Sequence, residues 1–268
     1  MRTANYVGER QPLYSSTIIN VLHASLLTMY GMDSPNSETD EQARIRAVYR
    51  EWHGGKALDP YAWHRPEVMQ QHAARCRVAG GLLAATVGHD LARLRIVDVG
   101  CGSGGFLRQL ISWGARPDNL IGTEYQEDRL AAARAATARG VRWHLGDLDI
   151  LDDGCLDLAV ANTVFSSILD EQMRHQLAAD MWRVLKPSGW CMVFDFRYNN
   201  PSNPNVRRVG RQQIRGYWPA AAERYQSLLL APPIARRLSR APRLVSDLLA
   251  TFVPPLRTHF IYMAQKLP

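Results

Sequence analysis

Asp98 stands two residues ahead of a glycine-rich run, Gly100, Cys101, Gly102, Ser103, Gly104 and Gly105. A carboxylate at that place can orient the loop and face the cationic end of a ligand. The glycines let the backbone turn sharply and approach a ligand where a Cβ would clash. Glu124 comes twenty residues after Gly104, a distance at which an acid can accept the hydrogens of both ribose hydroxyls. Asp147 follows in GDLDIL, suited to an adenine amino group, with Leu148 beside it for the ring face. Asn162 ends the apolar run LDLAVA, where side chain or backbone can meet the same ligand. Each position alone reads equally well as a turn or helix-cap residue. Their joint spacing points to a bound nucleotide-like molecule.

The elements around them supply the frame. Residues 96–99 read as a short buried strand, and 106–113 continue at helical spacing. Strand, glycine turn and helix form the unit that builds a nucleotide site at the carboxyl edge of a parallel sheet. Alternation then continues: strands at 120–124, 141–145, 156–161 and 189–196, helices at 126–139 and 170–185. The alanine-rich 126–139 stretch is a strong helix former, closed by Gly140. Further strands are expected at 224–230 and 258–265, and a short helix at 212–218. Ahead of this core come helices at 13–29, 41–52 and 66–83, with a polar linker over 31–40. Residues 1–45 thus read as a helical appendage and 46–268 as the main domain. A basic insert spans about 232–257, where Pro242 must break or kink any helix.

Charge is unevenly placed. The formal total is +7, yet residues 197–268 hold eleven arginines and Lys266 against Glu223 and Asp247 alone. Such a flank suits a phosphate-bearing substrate, an anionic membrane surface or nucleic acid, or is a solvated arginine-rich face. Four scattered cysteines suggest neither a zinc site nor a disulfide framework, so a reducing cytoplasm is the expected home. No stretch reads as a transmembrane span or a signal peptide. No His, Asp, Glu or Cys cluster has metal-ligand spacing, so no metal is expected.

The glycines leave two ligand classes open. Gly100, Gly102 and Gly105 match the dinucleotide pattern G-x-G-x-x-G, which would make the chain an NAD-dependent oxidoreductase. The run DVGCGSG, Glu124, Asp147 and the phrase WRVLKPSGW (182–190) together resemble the class I S-adenosylmethionine (SAM) dependent methyltransferases. The resemblance covers about 96–196. It implies an α/β, Rossmann-like fold: a seven-stranded, mostly parallel sheet in the order 3-2-1-4-5-7-6, with the seventh strand antiparallel and helices on both faces. It implies SAM as cofactor. Asp98 and Gly100, Cys101, Gly102 and Gly104 would surround the methionine part, Glu124 the ribose, and Tyr125, Asp147 and Leu148 the adenine. Asn162 and Thr163 would line the path to the methyl group.

For the acceptor, a small molecule is expected, anionic in one version, with a hydroxyl as the methylated atom on a sugar, glycolipid precursor or natural product. N-methylation and RNA methylation are the alternatives. Neither N-P-P-Y nor a Pro-Cys nucleophile is present, which disfavours methylation of DNA bases. A hydroxyl acceptor calls for a general base, for which His64 and Asp195 are the candidates, with His53 and His175 behind them. Arg197 and Tyr198 are candidates for holding substrate. Nucleic-acid partners are not expected, since no RNA-binding module is appended. The basic insert offers peripheral membrane contact, and the first helix packs on the core or on a second copy.

Overall fold

In a computed structural model of the chain, residues 39–54, 62, 64–201, 203–219, 221–239 and 241–267 are described, with the side chains of 52–54 and 243 left out. The helix expected at 13–29 lies outside them, as does the side chain of His53. By internal contacts the chain divides between Ala43 and Arg44. The second unit carries all seven strands.

Seven strands form one sheet in the order β3-β2-β1-β4-β5-β7-β6. They are β1 (Ile96–Val99), β2 (Leu120–Glu124), β3 (Arg142–Leu145), β4 (Leu156–Asn162), β5 (Leu185–Phe196), β6 (Ala222–Leu230) and β7 (Arg257–Gln265). The first five run parallel, and β7 is antiparallel to both β5 and β6. Eight α-helices are described: α1 (Asp40–Gly54), α2 (Pro66–Thr86), α3 (Gly105–Ser112), α4 (Glu127–Ala136), α5 (Glu171–Arg183), α6 (Arg211–Tyr217), α7 (Pro232–Arg237) and α8 (Arg243–Phe252). This is the doubly covered, Rossmann-like sheet expected from the sequence.

The two sheet faces explain the apolar runs. Strands buried on both sides carry apolar residues at successive positions. Val97, Val99, Ile121, Ala159 and Val193 pack with Met181 of α5 and Ile214 of α6. Ile96, Leu120, Leu158, Val160 and Met192 pack on the other face with Leu83 of α2 and Leu107 and Leu110 of α3. Since strand side chains alternate, the even-numbered residues of β1 and β2, of β4 from Leu158 and of β5 from Trp190 point to the α2–α3 face.

Two differences from the sequence reading have a visible cause. The alanine-rich helix stops at Ala136, not 139, because Thr137 adopts an extended backbone (φ −117°, ψ 152°). Its β-branched side chain packs at the glycine turn, where Oγ1 accepts from Arg108 Nη1 (3.3 Å). The L-K-P-S-G phrase does not precede the fifth strand; it lies inside β5. Leu185 pairs Leu156, then the register shifts so that Trp190 pairs Leu158. Residues 186–189 form the bulge, with Ser188 at φ 66°.

Candidate functional site

Alternation along the strands brings the site together. Asp98 at β1, Glu124 at β2, Asn162 at β4 and Phe194 at β5 all project from the α2–α3 face at the carboxyl ends of their strands. Over that edge lies the glycine turn. Gly102 sits at φ 56°, a left-handed conformation that any Cβ would strain. Its N–H donates to Glu124 Oε2 (2.9 Å). Glu124 Oε1 accepts from the N–H groups of Tyr125 (2.9 Å) and Gln126 (3.2 Å). The acid is therefore fixed against the turn. Gly122 of β2 is required for a different reason: a Cβ there would meet the Trp143 ring at 2.7 Å and Cys101 Sγ at 2.9 Å.

Asp98 is 1% exposed. Burial pushes its carboxyl up to about 7, against the lowering pull of its Asn162 hydrogen bond and the charge of Arg75. Asn162 Nδ2 donates to Asp98 Oδ1 (3.0 Å), and Asn162 Oδ1 accepts from Arg75 Nη2 (2.7 Å). The Arg75 guanidinium, carried by α2, lies 4.3 Å from the Phe194 ring centroid. Phe194 stacks in turn on His259 (5.2 Å, 5° between planes). Burial holds His259 down at about 4, so it is neutral near pH 7. A carboxylate, an amide, a guanidinium and two rings thus run in one line across β1, β4, β5 and β7.

A second cation reaches the turn from α4. Arg129 Nη1 lies 3.7 Å from Glu124 Oε2, and its guanidinium occupies the space in which a Gly102 side chain would stand. The Tyr49 ring of α1 covers that guanidinium at 4.5 Å. Tyr49 is anchored by its hydroxyl, 3.3 Å from Ser167 Oγ, while Arg44 Nη2 donates to the Ser167 carbonyl (2.6 Å). Asp147 is half-buried near the Tyr125 hydroxyl, which donates to its Oδ2 (3.5 Å). Burial raises the Asp147 carboxyl above the usual range. Thr163 holds φ 57°, strained for a β-branched residue. Its N–H donates to Phe194 O (2.7 Å) and its Oγ1 to Asn162 O (2.7 Å), which keeps the backbone there.

The sequence candidates divide. Asp98, the glycine turn, Glu124 and Asn162 converge, with Tyr125 and Asp147 adjoining. Leu148 does not offer a ring face: it is 1% exposed and packs into the core with Val97 and Leu151. Cys101 turns its thiol over Gly122 into the core, and its N–H bonds Thr123 O (2.9 Å). Asp195 lies on the opposite sheet face, fully buried. Its Oδ2 accepts from the Ser166 N–H (3.0 Å) and its Oδ1 from the Phe196 N–H (2.8 Å), so it clamps the turn after β4. Arg197 spends Nη1 on the carbonyls of Pro254 and Arg257, with Tyr198 exposed beside it. His64 is exposed just ahead of α2. His175 is exposed and pairs with Glu171 at 3.8 Å. Arg75, Arg129, Tyr49 and His259 escape sequence reasoning. Each is one polar residue in a helix or strand whose neighbours say nothing of what it will meet. Arg129, in the first turn of the helix that follows Glu124, is the one that its position could have flagged.

The arrangement fits a cationic adenosyl ligand: two buried carboxylates on one edge, a backbone turn free of side chains, and an arginine already drawn to the acidic spot. Residues 96–189 match the family described as a methyltransferase domain. These residues are a methyltransferase domain, set on the strand order of the class I SAM-dependent fold. No curated protein matches it. Among solved structures, this methyltransferase is similar to geranyl diphosphate C-methyltransferase from Streptomyces coelicolor A3(2), at 17% identity and TM-score 0.59, over 86% of this chain and 100% of that one. It is also similar to a 1,6-didemethyltoxoflavin N1-methyltransferase from Burkholderia thailandensis (17%, 0.57, 88% and 93%). A third is magnesium protoporphyrin IX methyltransferase from Synechocystis PCC 6803 (13%, 0.56, 86% and 99%). At these identities the likeness is one of fold. SAM is the cofactor of the methyltransferase.

Proposed function

We propose that the enzyme moves the SAM methyl group to a hydroxyl of a small molecule, such as a sugar, a glycolipid precursor or a natural product. The observation that carries the cofactor half is the convergence of Asp98, Asn162, Glu124 and Gly102 on one sheet edge. Bound SAM brings an electrophilic methyl, so the protein's share is alignment and exclusion of water. Glu124 takes the ribose hydroxyls once Arg129 swings away. Asp98 faces the positive methionine end, held in place by Asn162 and, through it, Arg75. Tyr125 and Asp147 border the adenine.

That the acceptor is a small molecule is supported by three similar proteins, named for magnesium protoporphyrin IX, 1,6-didemethyltoxoflavin and geranyl diphosphate. Asp195 faces the wrong side of the sheet for a base. The reading therefore assigns that role to His64, exposed at the head of the helix that carries Arg75 to the site. Isotope-labelled SAM with candidate acceptors tests the reading: a methoxy carbon in the product supports it, and an N-methyl or C-methyl carbon overturns the hydroxyl assignment.

A further inference from the structure

Helix α8 is inside out. Its polar side, Ser246 and Asp247 with Ala250 and Thr251, lines a cavity of about 290 Å³ shared with β6 and with Gln71 and Arg77 of α2. Its apolar side faces outward: Leu244 is 65% exposed, Val245 43%, Leu248 46% and Phe252 77%. These residues fall within one helical face, since positions four apart stack one above the other. Pro254 and Pro255, also exposed, extend the patch at the helix's end. A helix of a soluble domain buries that stripe against its own core. Here the orientation is fixed by Arg257, whose Nε donates to Ala250 O (2.5 Å) and Nη2 to Thr251 O (3.2 Å), capping the last carbonyls.

Charge says what the patch meets. The stretch entering α8 reads RRLSRAPR, four arginines in eight residues, of which Arg236 and Arg237 are exposed. Asp247 is the only acid from 224 to 268, and it lines the cavity. Outward apolar side chains beside unopposed arginines are the composition of a helix that lies in the headgroup region of an anionic bilayer. An interface between copies would set those arginines against each other.

We infer that α8 and the arginine run before it dock the enzyme on anionic membrane surfaces. The inference stands apart from the methyl-transfer reading, because it uses none of Asp98, Gly102, Glu124 and Asn162. The test is sedimentation of the full chain with vesicles of phosphatidylglycerol and phosphatidylcholine, and of phosphatidylcholine alone. Binding to the anionic vesicles is expected, falling at least tenfold on zwitterionic ones and in high salt. Leu248→Glu with Phe252→Glu should abolish it, and Arg236→Glu with Arg237→Glu should weaken it at least tenfold. Both variants should keep SAM affinity and melting temperature, which shows them folded. No vesicle binding by the wild type overturns the inference. So does a dimer that Leu248→Glu dissociates in the absence of vesicle binding, which would make the patch a contact between copies.

Discussion

At the residue scale, the buried Asp98 carboxyl sets a pH dependence. In the free protein it titrates at about 7, raised by burial from an ordinary value near 4. A cation seated against it favours the carboxylate, lowering that pKa in the complex. Binding then releases a proton below pH 7, so SAM affinity should rise by up to about tenfold per unit from pH 5.5 to 7 and then level off. Asp98→Asn should flatten that profile; calorimetry across pH checks it, and an unchanged slope in the variant refutes the assignment. Glu124→Ala should weaken SAM binding by about 1–3 kcal/mol, the worth of hydrogen bonds to a charged group. Arg129 gives the opposite sign. It pairs with Glu124 at 3.7 Å where the ribose would sit, so Arg129→Met should tighten SAM binding by about 0.5–1 kcal/mol, the scale of a partly exposed ion pair. Weaker binding would show that Arg129 stays to hold the ligand. The acids at the strand ends were legible because spacing after a glycine turn constrains them. The arginines were not: Arg75 lies 87 positions from Asn162 in sequence, and only the packing of α2 on the sheet brings them together.

At the element scale, the parallel core was legible nearly residue by residue, since buried strands and glycine turns mark their own ends. β1 and β2 run as expected from 96 to 99 and 120 to 124. What escaped were features decided by neighbours. The bulge in β5 depends on β4 alongside it, and the early stop of α4 depends on Thr137 meeting the glycine turn. Asp195 is the instructive case. In sequence it ends a strand near the site, like Asp98 and Glu124. Its odd number in β5 sends it to the other face, where it ties the turn after β4 through Ser166 and Phe196. Asp195→Ala should orphan two N–H groups and lower stability by about 2–4 kcal/mol, read from denaturant unfolding. A base would instead lose turnover with stability intact. That pattern is expected of His64→Gln, with a fall of about 10²-fold in kcat.

At the scale of the whole molecule, every residue placed at the SAM edge lies within 44–268, the larger of the two units. A chain starting at residue 39 should fold cooperatively and bind SAM within about threefold of the full chain, roughly 0.6 kcal/mol. Loss of binding on that truncation would place cofactor contacts in the first unit. The charge asymmetry of the sequence is partly local: four of the eleven arginines of residues 197–268 fall in the run 236–243 that leads into the outward-facing α8. The measurement that bears most directly on the account is equilibrium binding of labelled SAM to the wild-type protein and to Glu124→Ala. Saturable binding displaced by S-adenosylhomocysteine but not by NAD, and weakened in the variant, is the predicted result. Displacement by NAD, or equal affinity in the two proteins, would contradict the ligand edge assigned to Asp98, Gly102 and Glu124.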